Sequence, residues 1–220
     1  MAKIYTAQYL LCSNSSLIET GALLEDQGRI LEVGSLAQLK KSAPGVAVVD
    51  YGAAALLPAF VNAHTHLELS HYPQWASAAG VGSAPCSFVD WILRLIVVKR
   101  SHPSEAMAAA IKTGIRMCLE SGTAAVGDIL SWYDGRSVFT DTPLSGRIFL
   151  ESLGQDVALT QQQFKKLNRV LKEQGVGHFD FGLSPHSPYT IRPQYLTQLL
   201  ECARKKQLRS AIHIAESIAE

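Results

Sequence analysis

From Leu57 onward the sequence alternates between short apolar runs and longer amphipathic segments, and this alternation restricts the fold more than any other feature. Apolar, β-branched runs predict five strands at 57–66, 123–130, 147–153, 179–184 and 210–215. Apolar residues at helical spacing predict four helices at 87–100, 104–120, about 160–174 and 193–207. Strands that alternate with helices of this length predict βαβ units and a parallel sheet, so the fold class is α/β.

The first 57 residues have a different pattern. They contain short extended runs, with a turn at Asp26-Gln27-Gly28, and no strand–helix repeat. The sequence therefore predicts a small β segment over 1–57 and a (βα) region over 58–220.

The length of the (βα) region leaves two architectures. A complete (βα)8 barrel needs about 250 residues, and 163 residues follow position 57 (220 − 57). The region is therefore either an open five-stranded sheet or a TIM-like barrel truncated after about five strands. The motifs described below favour the truncated barrel.

Composition excludes several classes of partner. The chain is 47% apolar and 18% charged, with a formal net charge of +1 and no basic block, which argues against nucleic-acid and membrane-surface binding. No apolar run approaches the ~18 residues of a membrane span, and a signal peptide is not expected. None of the four cysteines forms a C-x-x-C pair, so a reducing cytoplasmic location is expected.

Two histidines stand at the end of the strand expected over 57–66. Because side chains alternate along a strand, His64 and His66 should point to one face, about 6.5 to 7 Å apart along it. Two imidazoles in this arrangement can hold one divalent ion. Taken alone, an H-x-H sequence is equally a pair of strand-end histidines without a metal.

Two further segments carry candidate site residues. In the last expected strand, His213 faces away from Ile212 and Ile214, and Glu216 follows three residues later. His186 lies in a loop stiffened by two prolines, after the strand at 179–184, where barrel enzymes place active-site groups. Read alone, His213 could be structural, and His186 could cap the helix at Pro193 or lie on the surface.

Taken together, these segments resemble the amidohydrolase superfamily. The run Leu57-Pro58-Ala59-Phe60-Val61-Asn62-Ala63-His64-Thr65-His66-Leu67 resembles its metal-binding first barrel strand, with Ala59 where glycine is usual. His213-x-x-Glu216 is similar to the fifth-strand motif of the cytosine deaminase/chlorohydrolase (ATZ/TRZ-like) branch. Within that branch, the His64–Glu68 stretch and the Trp91 segment resemble aminodeoxyfutalosine- or adenosine-type deaminases.

The resemblance implies a site and a cofactor. It implies one divalent metal ion, zinc rather than iron, and three ligands: His64, His66 and His213. It makes Glu216 the residue that moves protons and His186 a substrate contact. Trp91 is expected on a helix bordering the substrate pocket, although an amphipathic core helix fits its pattern equally. Glu68 is expected at the site rim, against a sugar hydroxyl or an amino group, although a solvated loop glutamate is equally compatible.

The function implied by the resemblance is hydrolytic deamination of a nucleobase- or nucleoside-like ring, with a small molecule as the partner. The family also leads us to expect an N-terminal β-sandwich, and homo-oligomers are compatible with the sequence. The sixth-strand histidine and eighth-strand aspartate of the family are absent from this chain, so we expect the 220 residues alone to be inactive or unstable. The alternatives are a chlorohydrolase, an amide or imidazolone hydrolase, or an inactive barrel fragment acting as an interaction module.

Overall fold

The computed structural model describes residues 1–13, 16–81 and 84–217. By its internal contacts the chain divides into two compact units, Met1–Ala59 and Phe60–Glu220. Among the residues described, no helix has both the length and the apolar character needed to cross a membrane.

The described residues of the first unit form seven short strands and one helix. The strands are β1 (Lys3–Thr6), β2 (Tyr9–Leu11), β3 (Leu17–Glu19), β4 (Gly21–Asp26), β5 (Arg29–Ser35), β6 (Ala47–Asp50) and β7 (Ala55–Leu56). One sheet has the order β5-β4-β1-β6, and a second has the order β3-β2-β7. The chain is interrupted between β1 and β2, which belong to different sheets. The β-sandwich expected from the family stays a prediction.

Local sequence explains two connections in this unit. The β4–β5 turn places Gln27 and Gly28 at φ 50° and 77°, the positive-φ pair of a tight hairpin. The helix α1 (Leu36–Ser42) was not expected from the β-rich pattern, yet Ser35 and Gln38 form a capping box at its start. Leu39 on α1 is fully buried in the small core of this unit.

The second unit alternates strands with helices. Its strands are β8 (Phe60–Thr65), β9 (Thr123–Leu130), β10 (Ser145–Ser152), β11 (Gly175–Val176) and β12 (Phe179–Pro185). Its α-helices are α2 (Tyr72–Ala78), α3 (Phe88–Arg100), α4 (Ser104–Glu120), α5 (Val157–Val170) and α6 (Pro193–Lys206), with 3₁₀ turns at Leu67–Leu69 and Tyr133–Phe139. The sheet order is β11-β12-β10-β9-β8; β8, β9, β10 and β12 run parallel, and β11 pairs antiparallel.

The predicted α/β pattern is confirmed in this unit, and several boundaries agree closely. The helix expected over 104–120 and the strand over 123–130 have those bounds in the structure. Gly122 follows α4 with φ 79°, the left-handed conformation of a helix C-terminus. The side chain of Ser87 caps α3 by accepting a hydrogen bond from the backbone of Asp90.

Two expectations for this unit were wrong. The helix expected over 160–174 begins at Val157 and ends at Val170, and Gly175 belongs to β11. Residues 210–215 do not form a regular strand, although the backbone of Ala211 donates to Leu183 of β12. The neighbouring Pro185 has no N–H to extend this pairing, and Ala215 leaves the extended conformation at φ 57°.

The core of the second unit lies between the sheet and its helices. Its fully buried members come from β9, β10, β12, α4, α5 and α6, and include Ile111, Leu130, Ile148, Leu150, Leu167, Leu183 and Leu199. This core fixes the carboxyl ends of the parallel strands relative to one another. Side chains that follow those strand ends therefore meet at one edge of the sheet.

Candidate active site and metal centre

Three histidines meet at the carboxyl end of the parallel sheet. His64 lies in β8 and His66 directly follows it. The pairing of β8 with β9 is irregular here: Asn62 pairs with Val126 and Thr65 with Asp128, so β8 has one more residue than β9 between these two pairs. This irregularity interrupts the expected alternation, but the two imidazole centroids still lie 5.2 Å apart.

His213 completes this group from the segment after α6, which pairs with β12 through Ser210 and Leu183. Its ring centroid lies 4.9 Å from that of His64 and 5.5 Å from that of His66. The donor atoms of the three side chains all lie within 4.8 Å of one another. Nitrogens bound at 2.0–2.1 Å to one ion can be at most about 4.2 Å apart, so small side-chain rotations bring these donors to one zinc ion.

Hydrogen bonds leave one nitrogen of His213 available to a metal. Its Nδ1 lies 3.0 Å from the carbonyl oxygen of His186. A carbonyl can only accept a hydrogen bond, so Nδ1 carries the proton and Nε2 has a free lone pair. A neutral imidazole whose other nitrogen is fixed by a carbonyl is the common form of a metal-bound histidine.

The electrostatic environment also favours neutral histidines. Burial, together with the smaller effects of the neighbouring His213 and His64, lowers the pKa of His66 to about 4. Burial and His213 lower the pKa of His64, against an opposing effect of Glu216. Because a metal binds the neutral imidazole, these residues fit a divalent cation in both geometry and protonation.

Asp128 supports the metal centre without joining it. Its side chain is fully buried, and Oδ1 accepts a hydrogen bond of 2.8 Å from the backbone N–H of Leu67, the residue after His66. Oδ2 has no hydrogen-bond partner among the described residues. Burial raises the pKa of Asp128 well above its ordinary value. Asp128 therefore fixes the backbone that carries His66.

His186 lies beside the three histidines. It follows β12, and its ring stacks on that of His213 at a centroid distance of 4.8 Å. Its Nδ1 lies 2.9 Å from the Thr190 hydroxyl and 3.1 Å from that of Ser187, so Nε2 is the nitrogen that remains for other partners. His186 does not cap the helix that begins at Pro193, because the N-cap of this helix is Arg192 and no described side chain makes a capping hydrogen bond to it.

Glu216 lies on the same side of the sheet. Its Oε2 accepts a hydrogen bond from the Tyr189 hydroxyl, which anchors the carboxylate beside the His186 loop. Its charge acts on His64 and His186, raising the pKa of each against the effect of burial. The structure thus brings Glu216 next to the predicted ligands and the predicted substrate contact.

These side chains line one cavity of about 430 Å³. Its charged or titratable lining residues are His64, His66, Lys99, Glu151, His186, His213 and Glu216. The remaining wall is mostly the apolar face of α3, which carries Trp91. Its size falls in the range of small-molecule sites.

Glu68 does not reach this wall. It is fully buried, and Lys99 and the Ser131 hydroxyl donate to its Oε1, while the Trp132 backbone donates to Oε2 at 3.1 Å. The expectation that Glu68 stands at the rim was therefore wrong in position. The 3₁₀ turn after His66 directs its carboxylate inward, where Lys99 from α3 neutralises it.

Sequence reasoning missed Lys99 and Glu151. Lys99 lies near the end of α3, a position that suits cations at any solvated helix end. Glu151 is a charged residue at the carboxyl end of β10, and a carboxylate at that end of a barrel strand is a signal for a site residue. That signal was available in the sequence.

Comparison with known proteins identifies the family. The family model described as "Amidohydrolase family" matches residues 55–220. The chain belongs to the amidohydrolase family. This match includes all the candidate site residues of the amidohydrolase described above, from His64 to Glu216.

Relatives of this amidohydrolase include nucleoside deaminases. An adenosine deaminase of Helicobacter pylori is 28% identical over 204 residues, which are 90% of this chain and 48% of the relative. A crystal structure of H. pylori aminofutalosine deaminase matches with a TM-score of 0.78 and 24% identity, over 99% of this chain and 50% of that one. An adenosine deaminase from Xanthomonas campestris, solved with bound zinc, matches with a TM-score of 0.79 and 17% identity, over 99% of this chain and 50% of that one.

The fold likeness supports the barrel assignment at a coarse level. The amidohydrolase chain spans about half the length of the relatives it matches. Its mixed α/β fold is that of the corresponding half of these solved structures.

Proposed function

We propose that this amidohydrolase carries out hydrolytic deamination of an amino-substituted, nucleobase- or nucleoside-like ring. The observation that carries the proposal is the convergence of His64, His66 and His213 with donor atoms within 4.8 Å, in a cavity that also holds His186 and Glu216. The solved X. campestris relative holds zinc, and zinc is the metal that we propose for these three histidines.

The cation site defines the chemistry available in the cavity. A divalent metal bound here would lower the pKa of its water towards 7 and so supply a nucleophile at neutral pH. Water adds to the ring carbon that bears the amino group, the carbon–nitrogen bond breaks, and ammonia leaves. In this proposal Glu216 takes one proton of the water and gives it to the ring nitrogen; it then moves the remaining proton of the added hydroxyl to the amino group, which leaves as ammonia.

Two residues are proposed to orient the ring. His186 has its Nδ1 fixed by Thr190, which leaves Nε2 to contact the substrate. Trp91 lies on the α3 wall of the cavity beside Phe88, at a ring-centroid distance of 5.8 Å, and offers an aromatic surface for a flat ring. The names of the relatives, adenosine deaminase and aminofutalosine deaminase, support a purine-like ring.

The proposal is tested by metal analysis together with a search for the product. Purified chain is reconstituted with zinc, and the bound metal is measured by elemental analysis. Ammonia and the deaminated ring are then followed with adenosine, adenine, guanine and cytosine, with protein in excess so that even a slow single turnover registers.

Two variants make the test specific. His64→Ala should lose both the zinc and the product, whereas Glu216→Gln should keep the zinc and lose the product. His178→Ala is a matched control, because His178 is exposed and its carbonyl, not its ring, makes the hydrogen bond to Gly146. Because the 220 residues alone are expected to turn over poorly, the result that would overturn the deaminase proposal is ammonia release that persists at the parental level in His64→Ala or in Glu216→Gln.

A further inference from the structure

The cavity at the metal centre continues into an apolar compartment. This second compartment, of about 330 Å³, is lined by Val89, Leu93 and Ile96 of α3, by Leu153 and by Tyr189. Lys99, Glu151, His186 and Glu216 line both compartments and form the polar part of the wall that the two share; its apolar part is the α3 face with Phe88, Ile92 and Leu95. A ligand could place its ring at the histidines and its other end in the apolar compartment. The part of the ligand between these two ends would then lie against this wall.

Glu151 presents an unused hydrogen-bond acceptor on the shared wall. Its side chain is 7% exposed, and Oε1 is buried without a hydrogen-bond partner among the described residues. One of its carboxylate oxygens lies within 4.8 Å of donor nitrogens of His186 and His213. A buried acceptor without a partner is costly to stability, so its presence beside the metal centre indicates a partner that arrives with the ligand.

Lys99 presents a donor on the same wall. Its ammonium donates to the buried carboxylate of Glu68 and to the Ser131 hydroxyl, at 2.6 Å for the latter. An ammonium group has three N–H donors, so one remains after these two bonds. Glu68 and Ser131 hold this third donor in place, because they fix the position of the nitrogen.

We propose that Lys99 and Glu151 are positioning residues that hold a neutral, hydroxyl-bearing part of the substrate between the metal centre and the apolar compartment. Lys99 donates a hydrogen bond to a hydroxyl oxygen, and Glu151 accepts one from a hydroxyl hydrogen. The carboxylates of Glu68 and Glu151 oppose an anionic group at this position. Glu68 acts indirectly, by holding Lys99 in position. This indirect role takes the place of the direct substrate contact that the sequence led us to expect for Glu68. This proposal rests on the proposed function, because it assigns the part of the substrate next to the ring.

The test compares two ligands that differ only in hydroxyl groups, adenosine and 2′,3′-dideoxyadenosine. Binding is measured by calorimetry on the zinc-loaded full chain carrying Glu216→Gln, so that turnover does not interfere. Glu151→Leu and Lys99→Met are introduced into this background. Lys172→Met serves as the control, because Lys172 is exposed and lines neither compartment.

Each test variant should raise the dissociation constant for adenosine about tenfold, as expected for the loss of a hydrogen bond to a charged group. The constant for 2′,3′-dideoxyadenosine should change less than twofold. Glu151→Leu should also melt at no lower temperature than its background, because it removes a buried carboxylate oxygen without a partner. Lys99→Met leaves the Glu68 carboxylate buried without its counter-ion, so Glu151→Leu is the decisive variant if Lys99→Met does not fold.

Equal weakening of both ligands by Glu151→Leu, or no weakening of adenosine, overturns the positioning proposal while leaving the deaminase proposal standing. Hydroxyl-dependent binding in a zinc-loaded chain whose ammonia release is the same with Glu216 and with Glu216→Gln supports the positioning pair and rejects the proposed deamination through Glu216. Binding of neither ligand to the zinc-loaded chain overturns both.

Discussion

The Nδ1 of His213 lies 3.0 Å from the carbonyl oxygen of His186, and this contact links the extended segment after α6 to the loop after β12. Because the carbonyl can only accept, we predict that His213 is the Nδ1–H tautomer with a free Nε2. Long-range ¹⁵N–¹H NMR of the metal-free chain should find a protonated Nδ1, and zinc should shift Nε2 alone. A protonated Nε2 would show that His213 cannot bind the metal in this arrangement.

The second prediction concerns the cost of losing one ligand. His64→Ala should weaken zinc binding by more than about 100-fold, since loss of an outer hydrogen-bond partner alone commonly costs 10–100-fold. His64 is exposed, so the unfolding free energy of the metal-free chain should change by less than about 0.5 kcal/mol. Competition with a chromophoric chelator measures the first quantity and denaturant titration the second. Unchanged zinc affinity would contradict the assignment of His64 as a ligand.

The third prediction concerns the buried carboxyl of Asp128. Its pKa in the folded chain is raised well above the model-compound value of 3.8, chiefly by burial. The folded state therefore holds this proton more tightly than the unfolded state. The stability contributed by the proton is present below pH 3.8 and is lost as the pH rises through the folded pKa.

Asp128→Asn is the variant that tests this effect, because an amide does not titrate and can still accept from the Leu67 N–H. The unfolding free energy of the variant, relative to the parent chain, should rise as the pH increases from acidic to neutral. Urea titrations of both proteins at matched pH values give this difference. A difference that stays constant or falls with pH would mean that Asp128 is ionised in the folded chain.

Much of the second unit could be predicted because local signals and tertiary packing agree there. The helix α4 has apolar residues at helical spacing and Gly122 at its end, and β9 is a mostly apolar run, broken by Asp128, with a strand neighbour on each side. The sequence at 210–215 has a similar apolar pattern. Among the described residues, however, this segment has a strand neighbour on one side, β12, and not on both. Extended sequences become regular strands only where hydrogen-bond partners continue along them.

Some residues of the candidate site could be predicted from the sequence and others could not. His64, His66 and His213 could be found because each stands in a recognisable strand-end motif. The ion pair between Glu68 and Lys99 could not, since it joins residues 31 positions apart through the packing of α3. Glu68 follows the metal motif closely in sequence, yet the turn after His66 sends it into the interior. Proximity in sequence was therefore a poor guide to its role.

The fourth prediction concerns thiol reactivity. Cys86 is exposed, whereas Cys202 is buried on α6 and burial raises the pKa of its thiol. Because the thiolate is the reactive form, iodoacetamide should label Cys86 at least about tenfold faster than Cys202 at neutral pH. Peptide mapping by mass spectrometry follows both sites, and Cys86→Ser should remove the fast phase. Equal rates at the two sites would mean that α6 does not pack as described.

The fifth prediction concerns Gly127, which lies in β9 directly beside the metal-binding strand β8. A Cβ at this position would come 2.3 Å from the carbonyl oxygen of Ala63, the residue before His64, and 3.3 Å from the ring of Phe149. The clash is with backbone, so the two strands must separate. Gly127→Ala should therefore lower the unfolding free energy by about 1–3 kcal/mol.

The same substitution should weaken zinc binding, because moving β8 displaces His64 relative to His213. Ala124→Ser is the control, since Ala124 is exposed on the same strand, and it should leave both quantities unchanged. Denaturant unfolding and chelator competition measure the two effects. A Gly127→Ala chain with parental stability and parental zinc affinity would show that β8 is not held against β9 at this point, and the convergence of the three histidines would then lack its structural support.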